Sequence, residues 1–140
     1  MLVRAIVMIM RITRRAAVGL TAAAFLTGFR LASAAERVRF GRAAFEAALK
    51  SGRAVLIDIS ASWCPTCLRQ KEIVTELTAK PEFADYLVFE VDYDTEKDVM
   101  RSFGAQQRST LIAFKNGAEV GRIVGDTSVT VIKALLEKAI

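Results

Sequence analysis

Histidine is absent from all 140 residues, and that alone removes several chemistries. A serine or cysteine hydrolase with an imidazole base has no side chain to build it from, and neither has a His-rich metal site. Cysteine is nearly as scarce, with two in the chain, so a tetrahedral zinc site would have to recruit carboxylates or a second subunit. Proline is confined to Pro65 and Pro81. Acidic residues are missing from the first 34 positions, which hold five arginines, while the remainder balances 15 basic against 15 acidic side chains. The formal charge of +5 therefore belongs to the N-terminal stretch. The rest has no basic stripe of the kind that binds nucleic acid, and no such partner is expected.

The N-terminal stretch reads as an address. Arg4, Arg11, Arg14 and Arg15 form a basic opening, the uncharged run Ala16 to Phe29 follows, and Leu31-Ala32-Ser33-Ala34 has the small-x-small pattern of a signal-peptidase site. The expectation is a signal peptide over residues 1–34, cut after Ala34, followed by one domain over 35–140. The uncharged run is shorter than the roughly 20 residues that span a bilayer, so no stable membrane insertion is expected after cleavage. Thr13-Arg14-Arg15 resembles the twin-arginine export signal, although Ala17 and Val18 stand where that signal usually has a bulkier pair. By that route or the general secretory one, the destination is the periplasm.

Beyond the leader, helical and strand periods alternate without repeats, which reads as an α/β fold. Val38 to Phe40 suits a short strand. Arg42 to Ser51 suits a helix with Ala43, Ala44, Ala47, Ala48 and Leu49 at helical spacing, Phe45 adding bulk and Gly52 ending it. Ala54 to Ser60 is a near-continuous apolar run, as expected of a strand covered on both faces. A helix is expected from Cys64 to about Ala79, with Leu68, Ile73, Val74 and Leu77 as its apolar stripe. Leu87 to Asp92 is the next strand, and Thr95 to Phe103 a short helix capped by Thr95. Leu111 to Phe114, the turn signal Asn116-Gly117 and Glu119 to Val124 read as a hairpin. A closing helix over about Ser128 to Ala139 turns Val131, Ile132, Leu135 and Leu136 to the sheet.

What the chain does have is Trp63-Cys64-Pro65-Thr66-Cys67, just after the run Val55-Leu56-Ile57-Asp58-Ile59. A disulfide closing so short a loop removes little entropy from the unfolded chain and is a poor staple. The pair is kept for chemistry, as a redox couple or as soft thiolate ligands for an ion such as Cu(I).

Three segments carry a family resemblance: Val55-Leu56-Ile57-Asp58 leading into Trp63 to Cys67, then Val91-Asp92, then Thr110 to Gly117. Over about residues 38 to 140 the chain resembles the thioredoxin family, and more loosely the thioredoxin-like terminal domain of membrane-linked disulfide reductases. The resemblance implies a three-layer α/β/α sandwich with a mixed central sheet, and thiol-disulfide exchange without a cofactor or metal. It places Cys64 at a helix start, where free backbone N–H groups and the helix dipole stabilise a thiolate nucleophile. Pro65 fits the first helical turn. Cys67, a turn deeper and less exposed, resolves the mixed disulfide. Asp58 matches the family's buried acid. Burial raises its pKa, which suits proton exchange with Cys67; the alternative is a strand-end acid that reaches water. Trp63 shields the pair and offers a flat surface to a partner, the alternative being ordinary core packing. Pro65, Thr66, Arg108, Ser109 and Thr110 complete the implied substrate-binding set.

The chain departs from the family at three places. Ser109 occupies the position where thioredoxins have a cis-proline opposite the cysteines. Either Arg108-Ser109 is a cis non-proline bond, costing about 2.5 to 4 kcal/mol, or the loop is trans and rebuilt, with trans the expectation. Val88 replaces the family's common lysine partner of the buried acid, and Pro65-Thr66 replaces Gly-Pro between the cysteines. The expected function is an exported, monomeric oxidoreductase that reduces protein disulfides and draws electrons from a membrane-linked donor. The alternative is a soft-metal, copper-type carrier on the same fold.

Overall fold

A computed structural model describes residues 35–140, so the stretch expected to be a signal peptide lies outside the described residues. The strand expected at Ala54 to Ser60 is β2, Val55–Ser60, and it occupies the middle of a five-stranded sheet. Its neighbours are β3, Leu87–Asp92, which runs parallel, and β4, Thr110–Lys115, which runs antiparallel. The edges are β1, Glu36–Arg39, parallel to β3, and β5, Ala118–Val124, antiparallel to β4. The order is β1-β3-β2-β4-β5, a mixed sheet.

Alternation along β2 divides the core. Leu56 faces Ile73, Val74 and Leu77 of α2 (Pro65–Thr78) and Ile132 and Leu136 of α4 (Val129–Glu137). Val55, Ile57 and Ile59 point the other way, toward Phe45 and Ala48 of α1 (Arg42–Lys50) and Met100 of α3 (Lys97–Ser102). Helices thus cover both faces, giving the three-layer sandwich, and each fully buried Leu, Ile or Phe contributes roughly 1.5 to 3 kcal/mol. On the α1 side, Phe45 meets the rings of Phe89, Phe103 and Phe114 edge-on, at centroid distances of 5.8, 5.3 and 5.3 Å. Such pairs add about 0.5 to 1.5 kcal/mol each beyond area burial. On the α4 side, the buried Tyr86 hydroxyl donates to the Leu136 carbonyl at 2.7 Å. The hairpin turns at Asn116 and Gly117, whose φ values of +50° and +81° are those of a tight type I′ turn.

Several local expectations need correction. The first strand begins at Glu36 instead of Val38, because its pairing with β3 starts at Glu36 opposite Leu87 and a polar edge strand shows no apolar run. In α1 only Phe45 and Ala48 are buried, while Ala43, Ala44 and Ala47 face solvent. Alanine is too small to dictate which way a helix turns. Leu68 of α2 is 51% exposed, and Gln70 is fully buried instead, donating through Nε2 to the Asp126 carbonyl at 2.8 Å. Val131 of α4 also lies outside the sheet-facing stripe of Ile132, Leu135 and Leu136. Thr95 does not cap α3, which starts two residues later. Its N–H and hydroxyl donate to Asp92 Oδ1 in the preceding turn, both at 2.8 Å.

Candidate active site

Cys64 is the residue at which the chain passes from the loop after β2 into α2. Its backbone is extended (φ −95°, ψ 109°), its carbonyl accepts the first helical hydrogen bond from Leu68 N–H, and Pro65 follows as the first helical residue. Its Sγ accepts from the Cys67 N–H at 3.2 Å, so the sulfur occupies the place of a capping oxygen at the helix start. Cys64 and Cys67 are joined as a disulfide. Cys67 was expected to be the less exposed of the two, but the residues are 1% and 2% exposed. Ala61 shares a small buried cluster with them, and the half-buried Tyr93 packs against that cluster.

Ser109 closes the site from the opposite side. There is no cis peptide bond among the described residues, so the loop takes the trans alternative. The rebuilding is visible in the Ser109 φ of +57°, a left-handed conformation that costs a non-glycine residue roughly 1 to 3 kcal/mol. The Ser109 carbonyl accepts from the Gly125 N–H at 2.8 Å, which ties the loop to the end of β5. Its side chain is turned inward, with Oγ 3.3 Å from Cys64 Sγ and 3.0 Å from Cys67 Sγ.

Of the residues expected to border substrate, Thr66, Arg108 and Ser109 line one open cleft together with Tyr93, Val124 and Gly125. Pro65, which precedes Thr66 in the chain, is exposed. Trp63 is 56% exposed, which sets aside the core-packing alternative. Its indole Nε1 donates to Asp94 Oδ2 at 2.8 Å, and the Arg108 guanidinium lies over the ring at 4.9 Å. Arg108 therefore stacks on the tryptophan and does not hydrogen-bond the sulfurs. Thr110 is buried, with its hydroxyl donating to the Gln107 carbonyl at 2.8 Å, so its side chain faces inward.

Asp58 is fully buried, which rules out the strand-end alternative. It lies on the same face of β2 as Leu56, the face covered by α2. Burial raises its pKa above the usual carboxylate value, and the Arg37 guanidinium works in the opposite direction. Arg37 Nη1 donates to Asp58 Oδ2 at 2.8 Å and to Glu90 Oε1 at 3.1 Å, and Lys71 Nζ reaches the same Glu90 oxygen at 2.6 Å. Partial burial pushes Glu90 up, but Lys71 and Arg37 outweigh it and hold the carboxyl below its ordinary value. Asp58 Oδ1 is buried without a protein hydrogen-bond partner, which leaves an acceptor free to take a proton. A crevice of about 200 Å³ lined by Cys67, Lys71, Glu90 and Asp92 opens beside Glu90, the second carboxylate that Arg37 holds.

Arg37 is the residue that sequence reasoning missed. Val88, where the family commonly has a lysine, is a core side chain, and the cation comes from the adjacent strand, where Arg37 is the register partner of Val88. Only the strand pairing brings this arginine to an acid 21 positions away.

Comparison with known proteins agrees with this geometry. The family model described as Thioredoxin matches residues 37–138. A thioredoxin H-type protein of Fagopyrum esculentum is 38% identical over 81 residues, covering 58% of this chain and 68% of the relative. A thioredoxin of Echinococcus granulosus is 35% identical over 83 residues, covering 59% and 75%. Among solved structures, Trxlp from Edwardsiella tarda superposes with a TM-score of 0.70 at 42% identity, covering 72% of this chain and 98% of that one.

Proposed function

The chain belongs to the thioredoxin family and is a thiol-disulfide oxidoreductase, and from that premise we propose that it is exported and works as a reductase of protein disulfides. The observation that carries the mechanism is the position of Cys64 Sγ at the start of α2, accepting the Cys67 N–H. In the reduced protein the same N–H and the helix dipole favour a thiolate there. That thiolate attacks one sulfur of a substrate disulfide: a Cys64–substrate bond forms, the substrate S–S bond breaks, and the other substrate sulfur leaves as a thiolate. Cys67 then gives its proton to Asp58 and attacks Cys64 Sγ. The Cys64–Cys67 disulfide forms and the second substrate sulfur is released, so the two electrons of the dithiol end on the substrate.

The cleft beside Ser109, with Thr66 and Arg108 on its walls and the exposed Trp63 stacked against Arg108, is the surface where the substrate chain lies, and Pro65 is exposed next to Thr66 in the chain. Export is supported by the basic opening, the apolar run and the small-residue site of the first 34 positions. An oxidising compartment keeps the pair closed, so a reductase there depends on a membrane-linked electron donor.

The test is direct. Mature protein supplied with a chemical dithiol should reduce a model protein disulfide, and Cys67→Ala should accumulate a mixed disulfide through Cys64. Failure of both would end the enzymatic reading. The soft-metal alternative predicts instead a stoichiometric metal in protein purified without additions, lost in Cys64→Ser.

A further inference from the structure

Among the described residues, the hydrogen-bonding groups at the two sulfurs are the Cys67 N–H and the Ser109 hydroxyl, and the hydroxyl alone reaches both, at 3.3 and 3.0 Å. Ser109 is 4% exposed, so water does not compete freely for it. It stands in a left-handed backbone conformation that only a few residue types tolerate. The hydroxyl has one proton to donate and two lone pairs. A disulfide sulfur is a weak acceptor, whereas a thiolate is charged and accepts about twice as strongly as a neutral group.

We infer that Ser109 is a catalytic residue of this chain, its hydroxyl stabilising the thiolate first on Cys64 and then on Cys67. In the reduced protein the hydroxyl donates to the Cys64 thiolate while its oxygen accepts from the Cys67 thiol. Once Cys64 is bonded to substrate sulfur it no longer needs a donor. Cys67 loses its proton to Asp58, a step that rests on the function proposed above, and the hydroxyl rotates to the new Cys67 thiolate. Attack on Cys64 Sγ forms the intramolecular disulfide and expels the substrate thiolate, which takes a proton from water. Serine keeps its own proton throughout; it redistributes a hydrogen bond and is not consumed.

Two consequences distinguish this role from a structural one. The hydroxyl favours ionised Cys64, and because it favours the dithiol form over the disulfide it makes the pair more oxidising. The neighbouring charges are the Arg108 guanidinium and Asp94 at Trp63, Lys97 over the Tyr93 ring, Asp58 with its Arg37 partner, and Arg39, Lys71, Glu90, Asp92 and Glu96 in the crevice beside Cys67. None of them hydrogen-bonds the Ser109 side chain, whose partners are the two sulfurs.

The experiment uses the full chain as wild type, Ser109→Ala and Ser109→Gly. Cys64 ionisation is followed by the pH dependence of alkylation, and the dithiol–disulfide equilibrium is measured against glutathione. Both variants should weaken Cys64 ionisation about tenfold, the worth of one charge-assisted hydrogen bond. They should also shift the glutathione equilibrium three- to tenfold toward the disulfide, where tenfold corresponds to about 30 mV. Glycine relieves the left-handed backbone and alanine does not, so a shift in Ser109→Gly alone would trace the effect to the backbone and overturn the inference. Unchanged ionisation and equilibrium in both variants would overturn it equally. Alkylation needs no protein substrate. A wild type that fails to reduce protein disulfides while the variants still shift would therefore refute the function and leave Ser109 its role.

Discussion

Arg37→Met should make the stability of the oxidised protein depend on pH in a way that the wild type does not. The disulfide keeps the cysteines from titrating, so the carboxyls dominate. Arg37 Nη1 sits 2.8 Å from Asp58 Oδ2, and a hydrogen bond to a charged group is worth about 1.5 to 3 kcal/mol. Glu90 keeps Lys71 at 2.6 Å after the substitution, so most of the loss falls on Asp58. The folded-state pKa of Asp58 is raised by burial. Its contribution to stability is therefore complete below the unfolded value and declines as pH rises through the folded one, by at most about 1.4 kcal/mol per pH unit. Without Arg37 the folded value rises further and the decline continues to higher pH. The variant should lie close to wild type near pH 4 and fall behind by about 1.5 to 3 kcal/mol once wild-type Asp58 is ionised. Glu90, held low partly by Arg37, adds a smaller deficit of the same sign above its own unfolded value. Urea denaturation at intervals from pH 4 to 9 measures the difference, and repeating it in an Asp58→Asn background isolates the acid. A deficit that is constant across pH, or that opens just as far in the Asp58→Asn background, would refute the coupling.

Asp58→Asn should slow resolution of the mixed disulfide about a hundredfold, the usual worth of a positioned proton acceptor, and leave alkylation of Cys64 within about twofold; quenched-flow trapping with a peptide disulfide separates the two steps. Trp63→Ala should change stability by about 0.5 kcal/mol or less, because the ring is largely exposed, and should raise KM for a protein disulfide more than for a small one; equal effects on both substrates would deny it a docking role. Tyr86→Phe removes one donor from the Leu136 carbonyl, which keeps the Ala139 N–H at 3.0 Å, and should cost about 0.5 to 1.5 kcal/mol in denaturation with exchange rates unchanged, marking that hydrogen bond as purely structural.

The parts of the molecule that could be read from the sequence are those that one segment decides alone. The apolar run at Val55 to Ile59, the Asn116-Gly117 turn and the cysteine pair before a helical stretch each announce themselves locally, and each is found where it was expected. Contacts decided between segments were not legible. Arg37 looks like a surface arginine on a polar edge strand until the register with β3 carries it to Asp58. Leu68 and Gln70 exchange expected roles because the Asp126 carbonyl, distant in sequence, supplies the partner that lets a glutamine be buried. The loop at Arg108-Ser109 was recognisable as altered. Which way the serine hydroxyl would turn depended on the tie from Gly125 to its carbonyl and on the two sulfurs beneath it.

The left-handed backbone at Ser109 also limits how this protein can exchange parts with its relatives. Proline fixes φ near −65°, roughly 120° from the +57° found here. Restoring the family's proline by a single substitution would therefore place a residue in a conformation it cannot adopt and break the tie to Gly125. Consensus design, which borrows the commonest residue position by position, should fail at this site even though it succeeds elsewhere in the domain. The loop is transferable only as a block, together with the end of β5 that anchors it. Single steps open to it lead to glycine, asparagine or aspartate, the residues at home in that region of backbone space.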